Sequence, residues 1–267
     1  MTIESIFEFF GVPAVLPRES SVLKGFELAK EISVSEGTPL FYIDNAEETA
    51  QSINSLKQTK VLADCMGMTG GPEGNLGHGA RHSLRVAVDA GAIVIIESSR
   101  MCLTPERAVA ILRLVQTAAL LHDIRRSAPH HAEAGAEAAK SILKELGLPE
   151  DESEIICLSI ASHEAFRPYE EPLDPEAALV CDALYDADKF RWGPDNFTET
   201  LWLMLEAAGI PVEAAVKSYP EKITGIEAIK KTFRTVTGRK YGPDFIERGV
   251  RIGEKVMEGM KKSMGME

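Results

Sequence analysis

The chain has 267 residues, with 41 acidic and 29 basic side chains for a formal net charge of −12, and 45% of its residues are hydrophobic. That length and balance describe a globular chain able to bury a sizeable core without cross-links, and exclude a disordered one. The acidic balance disfavours extended nucleic acid as a partner, although a local basic pocket could still take one small phosphate.

The four cysteines, Cys65, Cys102, Cys157 and Cys181, are scattered with no C-x-x-C pair, so they read as reduced thiols. The opening MTIESIFEFFGVP has no basic region leading into a long apolar stretch, and the most apolar run, AVDAGAIVIIESS, is too short to span a bilayer. The expectation is a cytoplasmic chain with small-molecule substrates and no membrane partner, with homo-oligomerisation left open.

Apolar residues recur at helical spacing through most long segments, and Ala is abundant where a sheet would need β-branched runs. The fold class is therefore read as all-α. The spacing predicts helices over 3–10, 21–34, 46–66, 78–97, 105–125, 131–146, 151–164, 174–189, 196–208, 212–217, 224–236 and 242–262, and residues 39–43 (PLFYI) could form a short strand. Two starts carry a chemical signature: Thr104-Pro105-Glu106 and Asp174-Pro175-Glu176 each place a cap, a proline and an acid in helical order. Stops are read at GLP (147–149), RPYEEPLDP (167–175), AGIP (208–211) and TGRKYGP (237–243). The glycine-dense GMTGGPEGNLGHG (67–79) lacks the Gly-Lys-Ser/Thr ending of a phosphate-binding loop and reads as a flexible approach to a site.

These features divide the chain into an N-terminal helical extension (1–66), a core (67–195) and C-terminal helices packed on that core (196–267). All six histidines, His78, His82, His122, His130, His131 and His163, fall in the core segment. Clustered imidazoles suit a metal such as iron, zinc or manganese. The sharpest feature is Ala118-Ala119-Leu120-Leu121-His122-Asp123, where an imidazole and a carboxylate close an apolar helix. Burying that pair is costly unless both are paired, and one bound cation satisfies both. The alternative is an Asp at a helix end with a His meeting the dipole.

Upstream lies Arg81-His82-Ser83-Leu84-Arg85-Val86-Ala87, and downstream Asp186-Ala187-Asp188-Lys189-Phe190. With these the sequence resembles the HD superfamily of metal-dependent phosphohydrolases, whose ordered signature is His, then His-Asp, then a distant Asp. His82, His122, Asp123 and Asp188 match it in order over about residues 75–195. The resemblance implies an all-α HD-type helical core with N- and C-terminal additions. It implies one or two divalent ions (Fe, Mn, Zn, Ni, Co or Mg) held by His82, His122, Asp123 and Asp188. His131 and His163 stand where two-metal members carry further ligands; otherwise His131 is a helix-start or exposed side chain and His163 a core-edge one. His78 and His130 flank the matched positions without falling on them, and read as supporting or solvent-facing.

The family's H-D-I-G continuation is replaced here by Arg125 and Arg126. Arg126, one turn after His122, is therefore a candidate for a substrate phosphate, as are Lys189 and Arg191; each could equally be a solvated helix-end cation. Asp186 could orient a ligand or face solvent, Glu164 could bond a metal-bound water, and Trp192 and Trp202 read as core or pocket wall. The implied activity is hydrolysis of a small phosphate ester, a nucleotide being the generic case, by metal-activated water, with Asp123, Arg126 and Lys189 as catalytic candidates. Two rivals remain at this stage: a di-iron oxygenase using His82, His122, Asp123, His131, His163 and Asp188, and a non-catalytic binding module.

Overall fold

Along its described residues, 4–68 and 79–266, the computed structural model consists of helices joined by turns and bends, with no strand. In chain order the helices are α1 (Glu4–Phe9), α2 (Ser20–Glu36), α3 (Leu40–Asp44), α4 (Ala46–Gln58), α5 (Lys60–Met68), α6 (Ala80–Arg100) and α7 (Pro105–Leu121). They continue as α8 (His131–Glu145), α9 (Glu150–Ala161), α10 (Pro175–Phe190), α11 (Leu201–Ala208), α12 (Val212–Ala228) and α13 (Val236–Ser263). A π-helical turn (Asn196–Thr200) leads into α11 and a 3-10 turn (Ile229–Lys231) follows α12. Among the described residues no helix is long and apolar enough to cross a membrane.

The centre is built from α6, α7 and α10 because these helices have little polar surface to offer water. In α10 every residue from Ala177 to Phe190 except Asp182 is buried, which requires neighbours on all sides. Helices α6, α7, α9 and α13 supply them, while α4 covers α6 and α8 covers α9. The approach of α6 to α4 and α7 is set at Gly91, where a Cβ would lie 2.2 Å from Ser52 Oγ and 2.8 Å from Gln116 Nε2. The space is used by a closed polar set instead: Gln116 Nε2 donates to Ser52 O and Oγ, both at 3.0 Å, and Ser52 Oγ donates to Val88 O at 2.7 Å. Buried polar atoms satisfied in this way cost little and hold one register.

The two capped starts form as expected, with Thr104 Oγ1 accepting from Arg107 N and the Asp174 carboxylate from Glu176 N. Elsewhere packing corrects local reading. Residues 40–44 are helical, not a strand; Phe41 plugs an aromatic cluster with Phe190, Tyr241 and Phe245, and Asp244 accepts from Leu40 N at 2.9 Å. The stretch 46–66 breaks at Thr59, whose backbone is extended. The piece read at 212–217 and the start of the one read at 224–236 merge into α12 with Pro220 inside it, while the rest of the second piece is the 3-10 turn and a non-helical stretch over 232–235 before α13. TGRKYGP is not a stop but the first turns of α13. Thr235 caps that helix by accepting from Gly238 N at 2.7 Å, and Asp186 anchors the cap by accepting from Thr235 N, Thr235 Oγ1 and Arg234 N. A Cβ at Gly238 would fall 2.0 Å from Asp186 Oδ2, so the glycine serves close packing rather than a break. Asp186, expected to orient a ligand or face solvent, does neither. Most of the glycine-dense segment (69–78), with His78, lies outside the described residues.

Candidate metal centre

Adjacent residues on a helix point about 100° apart, so His122 and Asp123 flank one point from two sides. Regular α7 ends at Leu121, and His122 keeps a helical backbone with φ −58° and ψ −35°. Residues 122–127 run on as successive turns, with Ile124 N bonded to Leu121 O, Arg126 N to Asp123 O and Ala128 N to Arg125 O. The reading of a helix through 125 is thus corrected. Helix α8 packs closely there because Gly135 leaves room: a Cβ on it would sit 3.0 Å from the His122 carbonyl.

His82 from α6, His122 and Asp188 from α10 form one buried group, and His122, Asp123 and His163 another. In the first, His82 Nε2 lies 3.3 Å from His122 Nε2 and 3.3 Å from Asp188 Oδ1. Asp123 Oδ2 faces this group, 3.5 Å from His122 Nε2 and 3.8 Å from His82 Nε2. The other oxygen, Oδ1, faces His131 Nε2 at 3.6 Å and His163 Nε2 at 3.7 Å, and those two nitrogens are 3.2 Å apart. One carboxylate therefore stands between two imidazole pairs.

The tautomers are set from outside. His122 Nδ1 meets Ala119 O at 2.8 Å, His163 Nδ1 meets Ile160 O at 2.6 Å, and His131 Nδ1 meets Glu164 Oε1 at 2.8 Å. Each acceptor takes the Nδ1 proton and leaves the Nε2 lone pair aimed inward, the arrangement metal-binding histidines use, although at His131 that lone pair accepts from Arg126 Nη1 at 2.8 Å, a bond that an ion there would replace. Converging lone pairs and anionic oxygens at these distances fit a divalent cation of the borderline kind that takes imidazole and carboxylate.

The charges agree. Burial, then the Arg126 guanidinium and the His163 ring, push His131 down to about 4, leaving it neutral at pH 7. Burial would raise Asp188, but Lys189 and the His122 and His82 rings outweigh it and hold the carboxyl well below its usual range. For His122 burial acts downward, yet Asp123, Asp188 and the Ala119 carbonyl together hold its pKa above the ordinary value. Metal binding at His122 must then displace a proton once pH falls through that raised pKa. The apparent affinity for a divalent ion should drop about tenfold per pH unit below it, starting at higher pH than an unperturbed imidazole would. Calorimetric titrations with Mn²⁺ between pH 8 and 6 measure this; a flat profile over that range would contradict the raised value.

The other sequence candidates separate. Arg126 Nη1 lies 2.8 Å from His131 Nε2 and its Nε 4.0 Å from Asp123 Oδ2, so its positive head occupies the floor of the centre. Lys189 is buried and donates to Asp188 Oδ2 at 2.6 Å, leaving Oδ1 for the histidines. Arg191 is bound up elsewhere: its guanidinium pairs with Asp89 and Asp195 and donates to Tyr42 Oη. His130 is exposed and starts α8 in the left-handed region with φ 52°. Trp202 is fully buried, with Nε1 donating to Phe197 O, whereas Trp192 is partly exposed and lines the cavity above the centre.

That cavity, about 870 Å³, opens directly over His82, Asp123, His131, His163 and Asp188. The loop after His163 borders it through Ala165 and Phe166, and residues from the C-terminal third supply the opposite wall. Sequence reading did not find that wall, nor the Asp89–Arg191 pair. Asp89 offered one signal, an acid within an apolar helical stretch two turns after His82.

Residues 79–187 match the family model of the HD domain, and the chain carries an HD domain over that stretch. Among solved structures, the chain is similar to that of a predicted HD superfamily hydrolase from an uncultured Thermotogales bacterium, at 24% identity over 73% of this chain and 88% of that one, with a TM-score of 0.42. Among curated proteins, none matches at a significant level. The family match and the buried His/Asp groups together support an HD-superfamily metal-dependent enzyme.

Proposed function

We propose that the protein is a metal-dependent phosphohydrolase that cleaves a small phosphate ester by attack of water. The observation that carries this is Asp123, standing between two imidazole pairs on the floor of an open cavity with a guanidinium beside it. His82, His122, Asp188 and Asp123 Oδ2 would hold one divalent ion, and Asp123 Oδ1, His131 and His163 a second. Such an ion supplies a water nucleophile near neutral pH and polarises a phosphoryl oxygen. Lys189 keeps Asp188 ionised and oriented through their buried bond. Arg126 places a fixed positive charge where phosphoryl oxygens would lie, a preorganised donor for charge that grows in the transition state. Glu164 holds His131 in the tautomer it needs. A net charge of −12 and a centre recessed in a cavity suit a small ester better than duplex nucleic acid.

The convergence of all six residues also suits the di-iron oxygenase reading, so the test separates them. Protein loaded with Mn²⁺, Co²⁺ or Ni²⁺ is expected to release inorganic phosphate from a panel of phosphate monoesters equally well in air and under argon. Absence of phosphate release with every ion, together with oxygen consumption by the iron-loaded protein, would replace hydrolysis with oxygenation.

A further inference from the structure

The cavity is chemically lopsided. Its ionisable groups gather at one end, around His82, Asp123, Arg126 and Asp188. The far wall comes from the π-helical turn, α11, α12 and α13, with Phe197, Leu201, Leu205, Tyr219, Ile226 and Met257 among its residues. Between residues 197 and 257 the one charged side chain lining it is Lys222, exposed on α12. The few polar groups on that wall are partly spoken for: Tyr219 Oη donates to Val250 O, and Ser218 Oγ to Ala215 O. A nucleoside pressed against this wall would strip water from ribose and base atoms without replacing their hydrogen bonds, which costs binding energy.

The rim is apolar as well. Phe166, Trp192, Met204 and Ile210 all border the cavity and are all exposed large hydrophobic side chains. Phe166 is 65% exposed and holds a left-handed backbone, φ 62°, so it spends conformational energy without gaining core burial. Apolar surface continuous from a rim into a cavity of this size is what a ligand with an apolar body would cover.

We propose that the substrate is an amphiphile: a phosphate monoester of an apolar alcohol, with its phosphate at the His/Asp centre and its hydrocarbon body along the wall of α11 and α12. The head group rests on the phosphohydrolase reading; the apolar body rests on the wall alone. Substrates are therefore selected by hydrocarbon length rather than by base recognition.

The experiment measures binding of methyl-, butyl-, hexyl- and octylphosphonate, which cannot be hydrolysed as esters, to the Mn²⁺-loaded full chain by calorimetry, with adenosine 5′-monophosphate alongside. Each methylene reaching the wall should tighten Kd about fourfold, the equivalent of about 0.8 kcal/mol, so that octylphosphonate binds on the order of 10²-fold tighter than butylphosphonate. Adenosine 5′-monophosphate should bind more weakly than octylphosphonate. Met204→Glu, at a partly exposed rim position, should flatten the dependence on chain length and leave methylphosphonate affinity unchanged; Ala214→Glu, on the exposed side of α12, is the second probe of the same wall. Affinity independent of chain length, or a nucleotide that binds tighter than octylphosphonate, overturns the proposal. Chain-length dependence without hydrolysis of any ester would leave the apolar body standing and remove the phosphohydrolase reading. Ester hydrolysis with a flat chain-length profile would do the reverse.

Discussion

Asp123→Ala is expected to abolish metal retention in both imidazole groups and to lower phosphate release by more than roughly 10³-fold, because one carboxylate serves both. Its Oδ2 faces His82 and His122 while its Oδ1 faces His131 and His163. Asp188→Ala gives the contrast. Asp188 Oδ1 approaches His82 and His122, at 3.3 and 3.7 Å, so its loss should empty the first group and spare the second. Metal content per chain, measured by plasma mass spectrometry on protein purified without chelator, should therefore fall to near zero in Asp123→Ala and by about half in Asp188→Ala. Equal losses in the two variants would show that Asp123 does not join the groups. Far-ultraviolet circular dichroism on both separates loss of metal from loss of fold.

The second large effect concerns a buried ion pair beside the centre, where Arg191 N also donates to Asp188 O at 3.1 Å. Asp89 is fully buried in α6 and pairs with Arg191, which lies just past α10 and also holds Asp195 and Tyr42. Burial would lower the Arg191 pKa, but Asp89, Tyr42 and Asp195 hold it well above the usual value. At Asp89 burial outweighs Arg191 and the Tyr42 hydroxyl and pushes the carboxyl up to about 6, so the pair is charged above that pH and loses its anion below it. Arg191→Met leaves a carboxylate buried without its cation, a change worth about 3–5 kcal/mol of destabilisation. Urea unfolding of the metal-free protein measures it, and the midpoint on heating should drop by roughly 10 °C. Replacing both partners, Asp89→Asn with Arg191→Met, should recover much of the loss, since the uncompensated charge is gone. A loss below about 1 kcal/mol in the single variant would mean that water reaches Asp89 and that the pair is not a buried one. The pair ties the helix carrying His82 to the helix carrying Asp188, so Arg191→Met should also weaken metal binding, by about 10- to 100-fold.

Two kinds of information are separable in this protein. The all-α class, most helices, the capped starts at Thr104 and Asp174 and the ordered set His82, His122-Asp123, Asp188 were legible in the chain itself. Periodicity, capping chemistry and a spaced motif are local or ordered patterns, and they survive without knowledge of packing. What depends on distant neighbours was not legible. Residues 40–44 are helical because Phe41 fits a cluster supplied by residues 190–245, and α13 starts early because Asp186 anchors its cap. The division of Asp123 between two imidazole pairs depends on His82, His131 and His163 arriving from other elements, and α7 ends just before His122 with no proline or glycine to announce it. Arg191 stood as a candidate for a substrate phosphate or a solvated helix-end cation, and the fold sets its guanidinium against Asp89 instead. The sequence thus determined which chemistry-bearing residues the chain possesses and in what order. Only the tertiary structure decided which atoms of those residues meet and that an apolar wall faces them, since both depend on side chains far apart in the chain being packed onto one surface.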